Sequence, residues 1–154
     1  MIRFLAMGIA VAVVVTAQAQ SAMPSSADQA ELRRLASRMD HAWTVADADA
    51  NADLFAADAT ARLGEDPLGA GREAIRRQFH AFFKDRPAGL RHVTKIERME
   101  QLGPNLVMWD AEVRVERKQG DRDWTTLTRI RNVTLVARRP EGWRIQAVRA
   151  FPIP

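Results

Sequence analysis

The sequence contains no cysteine and no tyrosine. The absence of cysteine excludes disulfide bonds, thiolate metal ligands, a cysteine nucleophile and a lipid-anchored N-terminal cysteine. The only serines are Ser21, Ser25, Ser26 and Ser37, so a hydrolase built on a serine triad is nearly excluded. What is present is 154 residues, 47% hydrophobic and 27% charged. This length and composition are typical of one globular domain.

Residues 1–19 have the pattern of a secretory signal peptide. Arg3 is the only charge before Asp28, an apolar run covers Phe4–Val15, and Ala17-Gln18-Ala19 offers small residues for cleavage. The run is short for the ~30 Å of hydrocarbon in a bilayer, which favours cleavage after Ala19 over a membrane anchor. We therefore expect a secreted or periplasmic protein with no membrane association once the signal peptide is removed.

The remaining chain is predicted to form a tether, residues 20–27, and one domain, residues 28–154. Apolar residues at helical spacing predict a helix of about twenty residues that is capped by Asp28. A short helix over 50–57 and a third from Gly71 to a point before Pro87 follow. A short strand over 60–64 and four long strands, over 92–102, 106–117, 124–138 and 143–151, complete the pattern. Helices followed by an antiparallel meander predict an α+β fold, in which a curved sheet wraps around the N-terminal helices.

The formal net charge of +4 is unevenly spread, because basic residues outnumber acidic ones after Pro67. An excess of arginine raises the question of nucleic-acid binding. The arginines alternate with acids, however, as in Val113–Arg117, and no aromatic and glycine signature of RNA-binding proteins accompanies them. A solvated strand face or an acidic ligand explains the arginines better, and we expect no nucleic-acid partner.

Several short motifs occur in an order that resembles the nuclear transport factor two-like (NTF2-like) superfamily. They are Trp43, Asp47-Ala48-Asp49, Leu54–Ala59, Gly71–Ile75 and Glu141–Ile145. The chain is most similar to the SnoaL-like branch and, within it, to the SgcJ/EcaC-type family. The resemblance implies a cone-shaped sheet of the cystatin-like α+β barrel type, closed by helices around a pocket. It also implies a homodimer through the outer face of the sheet.

Strand alternation and the resemblance together assign residues to that pocket. The predicted ligand-binding residues are Trp43, Phe79, Trp109, Ile130, Asn132, Thr134 and Arg149. Asn132 and Thr134 are either a pair that orients a ligand or a structural hydrogen-bond network, since a buried amide needs partners. Arg149 is either a cation inside the pocket or an arginine at its rim that is paired to an acid.

Two residues are candidates for catalysis, Asp66 and His80. The loop Glu65–Gly69 resembles the one that carries the general base of ketosteroid isomerase, a member of the superfamily. The oxyanion hole of that enzyme uses a tyrosine and a protonated acid, whereas this chain has no tyrosine and has Asn132 near the place of the acid. Asp66 is alternatively an exposed turn residue. His80 lies beside the apolar stripe of the third helix, close to a histidine of the SgcJ/EcaC pattern, and is alternatively a surface residue.

No cofactor or metal is expected from the sequence. The three histidines, His41, His80 and His92, do not stand at metal-ligand spacing, and no glycine-rich dinucleotide fingerprint follows a strand. The oxidoreductase name of the SgcJ/EcaC-type family therefore finds no nicotinamide or flavin site here.

Three functions stay open at this point. The first is an exported module that holds a small, mostly apolar molecule. The second is a cofactor-free isomerase, cyclase or dehydratase that uses proton transfer, with Asp66 or His80 as base. The third is a dimerising interaction protein without chemistry. Whether the chain is an enzyme is undecided by the sequence.

Overall fold

The computed structural model describes residues 22–120 and 123–153. The predicted signal peptide lies outside the described residues. The helices in these ranges are α1 (Ser26–Thr44), α2 (Ala48–Ala52) and α3 (Arg72–Lys84). The strands are β1 (Phe55–Leu63), β2 (Gly69–Ala70), β3 (Leu90–Gly103), β4 (Leu106–Lys118), β5 (Trp124–Arg139) and β6 (Gly142–Ile153). Across these ranges, no helix has both the length and the apolar character needed to cross a bilayer.

The strands form one sheet in the order β2-β1-β6-β5-β4-β3. β6 runs parallel to β1, and the other neighbouring strands are antiparallel. The sheet is curved and unclosed, and α1 packs against β3 and β6 while α3 packs against β1 and β2. The predicted α+β fold, with a curved sheet around N-terminal helices, is confirmed.

Helix α1 begins two residues before the predicted cap Asp28. Ser25 is the N-cap, and its hydroxyl oxygen accepts a hydrogen bond from the backbone N–H of Asp28 at 3.1 Å, which satisfies one of the free donors of the first turn. Preceding the helix, Ala22 pairs with Gln101 on β3. The predicted apolar stripe is confirmed, because Leu32, Leu35, Met39 and Trp43 are buried.

Helix α2 and strand β1 divide the chain differently from the prediction. The N-cap of α2 is Asp47, whose carboxylate accepts a hydrogen bond from the backbone N–H of Ala50 at 2.8 Å. The helix ends at Ala52, and β1 begins at Phe55 because this segment pairs with β6: Ile145 donates its N–H to the carbonyl of Leu54 at 2.9 Å. A tertiary partner thus converts a predicted helix end into strand.

Strand β6 contains a bulge at Gln146. Leu135 lies opposite Ala147 and Val136 lies opposite Ile145, so Gln146 has no partner of its own on β5. A bulged residue reverses which side chains face the interior from that point on. Trp143 and Ile145 are buried before the bulge, whereas Val148 and Ala150 are the buried residues after it. Arg149 would face inward only if β6 alternated without interruption, so its predicted place in the pocket is wrong.

Candidate functional site

A cavity of about 290 Å³ lies between the sheet and the helices. Apolar side chains dominate its wall, among them Met39, Trp43, Phe55, Phe79, Ile130 and Val148. The polar and ionisable residues of the lining are Asn51, Asp66, His92, Thr128 and Asn132. An apolar cavity with a few polar groups is the usual form of a small-molecule site.

The predicted ligand-binding residues separate into three groups. Trp43, Phe79, Ile130 and Asn132 line the cavity. Trp109 and Thr134 face the interior as expected, but they are completely buried in the core and do not form part of the lining.

Arg149 is the third case, and the structure places it on the other face of the sheet. The bulge at Gln146 turns it away from the cavity. Its guanidinium donates to the carbonyl of Val148 at 2.7 Å and to the hydroxyl of Thr60 at 3.1 Å. Arg149 therefore holds β6 to β1, and no acid among the described residues pairs with it.

The two predicted catalytic residues occupy different positions. Asp66 lines the cavity but is exposed to solvent. The side chain of His80 is 58% exposed and lies 3.3 Å from Asp49, outside the cavity lining. The hydrogen bonds from Arg76 and then from His80 hold the pKa of Asp49 below its ordinary value. The structure does not bring Asp66 and His80 together.

The sequence did not single out the histidine that the structure places in the cavity. His92 on β3 lines the cavity, and its Nδ1 lies 2.6 Å from Oδ1 of Asp40 on α1. The two side chains are only 11% and 22% exposed, respectively. Asp40 also accepts the backbone N–H of Thr94 at 2.9 Å and its hydroxyl at 2.6 Å. The carboxylate is thus held by three hydrogen bonds.

This pairing fixes the state of the imidazole. A carboxylate only accepts hydrogen bonds, so the ring nitrogen that faces it, Nδ1, carries the proton. In the neutral ring, Nε2 is then the basic nitrogen. No residue in the described part of the chain makes a hydrogen bond to Nε2 of His92. His92 is therefore equipped to accept a proton from a molecule in the cavity, with Asp40 stabilising the imidazolium that results.

A second polar group of the cavity is oriented by the core. The hydroxyl of Thr134 donates a hydrogen bond to Oδ1 of Asn132. This bond leaves Nδ2 of Asn132 as the free donor of the amide. Because Asn132 lines the cavity, that donor is available to an oxygen of a bound molecule. Thr134 and Asn132 thus form a hydrogen-bond network, and Asn132 also lines the cavity.

Aromatic rings form one wall of the site around Trp43. The ring of His92 lies 5.1 Å from the Trp43 ring, and Phe82 and Phe83 each lie 6.0 Å from it. Arg86 covers Trp43 at 4.3 Å and donates to the carbonyl of Trp43 at 2.8 Å. Burial lowers the pKa of the Arg86 guanidinium. This packing holds the end of α1, and with it Asp40, against β3.

The sequence contained a signal that His92 faces the interior, namely its position in the alternation of inward and outward residues along β3. Residues opposite one another on paired strands share a face, and His92 and Thr94 lie opposite Val115 and Val113. Both polar residues therefore occupy inward positions of β3. The signal was hidden because a bulge at Glu97 interrupts the alternation of β3, and because Asp40 lies 52 residues away.

No group of three or more histidine, aspartate or glutamate side chains that could hold a metal ion occurs within residues 22–120 and 123–153. In the polar part of the lining, His92 and Asn132 are each oriented by a hydrogen-bond partner, which leaves a basic nitrogen on His92 and a donor on Asn132. Together they suit removal of a proton from a bound molecule and stabilisation of the oxygen that becomes negative.

Solved structures share this architecture. A domain with a cystatin-like fold from Nostoc punctiforme aligns with a TM-score of 0.73 and 19% identity over 85% of this chain and 80% of that one. A protein from Catenulispora acidiphila in complex with S-DNPA aligns at 0.72 and 22% over 83% and 95%. A ketosteroid isomerase-like protein from Erwinia carotovora aligns at 0.68 and 13% over 84% and 99%. These similarities show a shared cystatin-like fold.

No curated protein matches the sequence. The profile of the SnoaL-like domain family matches residues 24–149, which is nearly all of the chain that the structure describes. The chain therefore belongs to the SnoaL-like domain family.

Proposed function

We propose that this chain is a cofactor-free acid–base enzyme that transfers a proton on a small, mostly apolar molecule held in the cavity. The observation that carries the proposal is the 2.6 Å pair of Asp40 and His92, whose histidine lines an apolar cavity. A module that only binds its ligand has no need for a nearly buried histidine–carboxylate pair at the wall, and burying polar groups is costly unless they are well partnered.

The reaction class follows from the two oriented groups. Nε2 of His92 takes a proton from a carbon next to a carbonyl, and the electron pair of the broken C–H bond forms the C=C bond of an enolate. The enolate oxygen accepts a hydrogen bond from Nδ2 of Asn132. The imidazolium then returns its proton in one of three ways. Transfer to another carbon completes an isomerisation, and transfer to a leaving hydroxyl, which departs as water, completes a dehydration. In a cyclisation, the enolate carbon attacks a second carbonyl carbon of the same molecule, and the proton goes to the oxygen that receives the electron pair of that C=O bond. In each case the substrate is neither oxidised nor reduced overall, so the reaction needs no redox cofactor.

The fold relationship agrees with this class but does not fix it. One of the similar structures is a ketosteroid isomerase-like protein, and another is a complex with S-DNPA. Asp66, the sequence-based candidate base, is exposed. In this proposal His92 takes the role of base, and Asp66 lies at the solvent side of the cavity.

Three features of the biological context are part of the proposal and rest on the sequence. The chain is exported to the periplasm or beyond, with cleavage after Ala19. Within the superfamily, it belongs to the SgcJ/EcaC-type family. It acts as a homodimer through the outer face of the sheet, on which Met108, Val133 and Leu135 alternate with the inward residues.

A substrate that reports on any base in an apolar cavity tests the proposal. In 5-nitrobenzisoxazole, removal of the proton on C3 turns the C–H electron pair into the third bond of a nitrile, while the N–O bond breaks to give a coloured phenolate. We expect saturable turnover by the wild-type chain, loss of turnover to the background rate in His92→Gln, and a loss of about 100-fold in Asp40→Asn.

The matched control is His80→Gln, because His80 also contacts an aspartate but lies outside the cavity lining. We expect this variant to retain wild-type turnover. Equal rates for the wild-type chain and His92→Gln, with the probe shown to bind both, would contradict the proposal and leave a binding module. Native mass spectrometry of the mature protein from its own envelope would then identify the ligand held.

A further inference from the structure

The cavity lining contains one buried polar side chain that the proposed chemistry does not use, that of Asn51. Asn51 lies on α2, lines the cavity and is 0% exposed. Neither its Oδ1 nor its Nδ2 has a hydrogen-bond partner among the described residues. A buried amide left unpaired is destabilising, so its presence in the wall calls for a partner that arrives from the cavity.

The remaining wall limits what that partner is. Within residues 22–120 and 123–153, no lysine or arginine lines the cavity, and the only ionisable side chains of the lining are His92 and Asp66. Nothing permanently positive is therefore available to neutralise a carboxylate or phosphate on the ligand, and burying an unpaired charge is strongly unfavourable. The arrangement selects for an uncharged molecule.

The amide also defines the geometry of the polar edge. An asparagine side chain offers one acceptor oxygen and one NH₂ donor side by side. A ligand satisfies both at once only if it presents a donor and an acceptor on the same edge, as a lactam, an amide or an enol beside a carbonyl does. A single carbonyl or a single hydroxyl satisfies one of the two and leaves the other buried without a partner.

We propose that Asn51 is the specificity-determining residue of the cavity, and that the ligand is an uncharged, mostly apolar molecule with a hydrogen-bond donor and an acceptor on one edge. The inference rests on the proposed function in taking the cavity as the substrate site. It adds the class of molecule that enters and the residue that recognises it. Asn132 and His92 then act on the reacting part of the molecule while Asn51 holds the other polar edge.

Three bicyclic probes test this inference without knowledge of the natural ligand. Isoquinolin-1(2H)-one presents a donor and an acceptor on one edge, its N-methyl derivative presents only the acceptor, and 1-naphthoate is an anion. Dissociation constants measured by protein-observed NMR are expected to show the wild-type chain binding the lactam about tenfold more tightly than either of the others.

The variant Asn51→Leu keeps the branched shape of the side chain and removes both polar atoms. We expect it to lose the tenfold preference for the lactam over the N-methyl derivative and to raise the midpoint of thermal unfolding, because two unpaired buried polar atoms are replaced by methyl groups. Asn105→Leu, at an exposed turn position, is the matched control and is expected to keep the preference. If Asn51→Leu does not fold, Asn51→Ala serves for the same comparison.

A wild-type chain without preference for the lactam, or an Asn51 variant that keeps the preference, would overturn the inference. A lower unfolding midpoint in Asn51→Leu together with an unchanged preference would make the amide a structural group. The proposed function fails by a different result, the loss of base catalysis at His92. A chain that selects the lactam through Asn51 but transfers no proton would retain this inference and lose the other.

Discussion

Asp40 and His92 are 52 residues apart in sequence, and their side chains meet at 2.6 Å where the end of α1 crosses β3. Neither residue is distinctive locally, since Asp40 follows a buried methionine in a helix and His92 is the third residue of a strand. The curvature of the sheet brings the first residues of β3 against α1, and this packing places the two side chains in contact. The catalytic proposal thus depends on the packing of α1 against β3.

Replacement of Asp40 by asparagine is expected to change the tautomer of His92. In the wild-type chain, the carboxylate requires the proton on Nδ1, whereas an asparagine side chain can present either its oxygen or its NH₂ group. Side-chain ¹⁵N chemical shifts should show one tautomer in the wild-type chain and a mixture in Asp40→Asn. A single Nδ1–H tautomer in both proteins would show that Asp40 does not orient the ring.

Loss of the Asp40 carboxylate is also expected to reduce stability. Asp40→Ala removes the acceptor for the backbone N–H and the hydroxyl of Thr94 as well as for His92. Hydrogen bonds to charged groups contribute about 1.5–3 kcal/mol each, so urea unfolding should show a loss of at least that size. Asp47→Ala, which removes only the cap of the short helix α2, is expected to cost about 1 kcal/mol.

Replacement of Thr134 by valine is expected to destabilise the fold while preserving its packing. Threonine and valine have similar shapes, but valine does not donate the hydrogen bond to Oδ1 of Asn132. Leaving that buried oxygen unpaired costs about 1–3 kcal/mol. Thr126→Val, at an exposed position of the same strand, should change the free energy of unfolding by less than about 0.5 kcal/mol. Equal effects in the two variants would show that the Asn132 network contributes nothing.

Deletion of Gln146 is expected to straighten β6 without changing which side chains face the interior. Gln146 is the extra residue of the bulge, so without it Ala147 follows Ile145 directly, while Val148 still lies opposite Thr134 and Arg149 still lies opposite Val133. Insertion of one alanine between Ala147 and Val148 would instead turn Arg149 into the interior and Val148 out of it. We expect the insertion to cost about 4 kcal/mol or more in urea unfolding and the deletion to cost far less. Equal losses in the two variants would contradict the assignment of the bulge.

Acid unfolding is expected to report on Asp28. Its pKa is held below the ordinary value of 3.8, first by the hydrogen bond from Ser25 and then by Trp143 and Arg138. A lowered carboxyl pKa in the folded state adds stability that is present above the unfolded pKa and is lost as the pH falls through the folded pKa. The side chains of Asp28 and Arg138 are partly exposed to solvent, so we expect this contribution to the free energy of unfolding to be less than about 1 kcal/mol.

The measurement for Asp28 is the free energy of unfolding as a function of pH, in the wild-type chain and in Asp28→Asn. The difference between the two curves should be constant above about pH 5 and should shrink below about pH 4. Parallel curves down to pH 3 would show that Asp28 titrates alike in the folded and unfolded chain.

The sequence by itself determined the class of the fold and most of its interior. The stripe of Leu32, Leu35, Met39 and Trp43 and the alternation from Val107 to Val113 are local patterns, because the periods of helix and strand are set by neighbours in the chain. The same patterns, with the motifs that resemble the SnoaL-like branch, placed Trp43, Phe79, Ile130 and Asn132 at the cavity.

Only the tertiary structure decided the composition of the site. Arg149 left the cavity because one unpaired residue at Gln146 shifts the alternation, and a bulge is set by the partner strand rather than by its own sequence. His92 entered because its partner Asp40 is distant in the chain. Asn51 is buried because α2 packs against α1 and α3, and its amide has no partner among the described residues. Contacts between distant segments leave no periodic pattern in the local sequence. They are therefore determined only when the sheet packs against the helices.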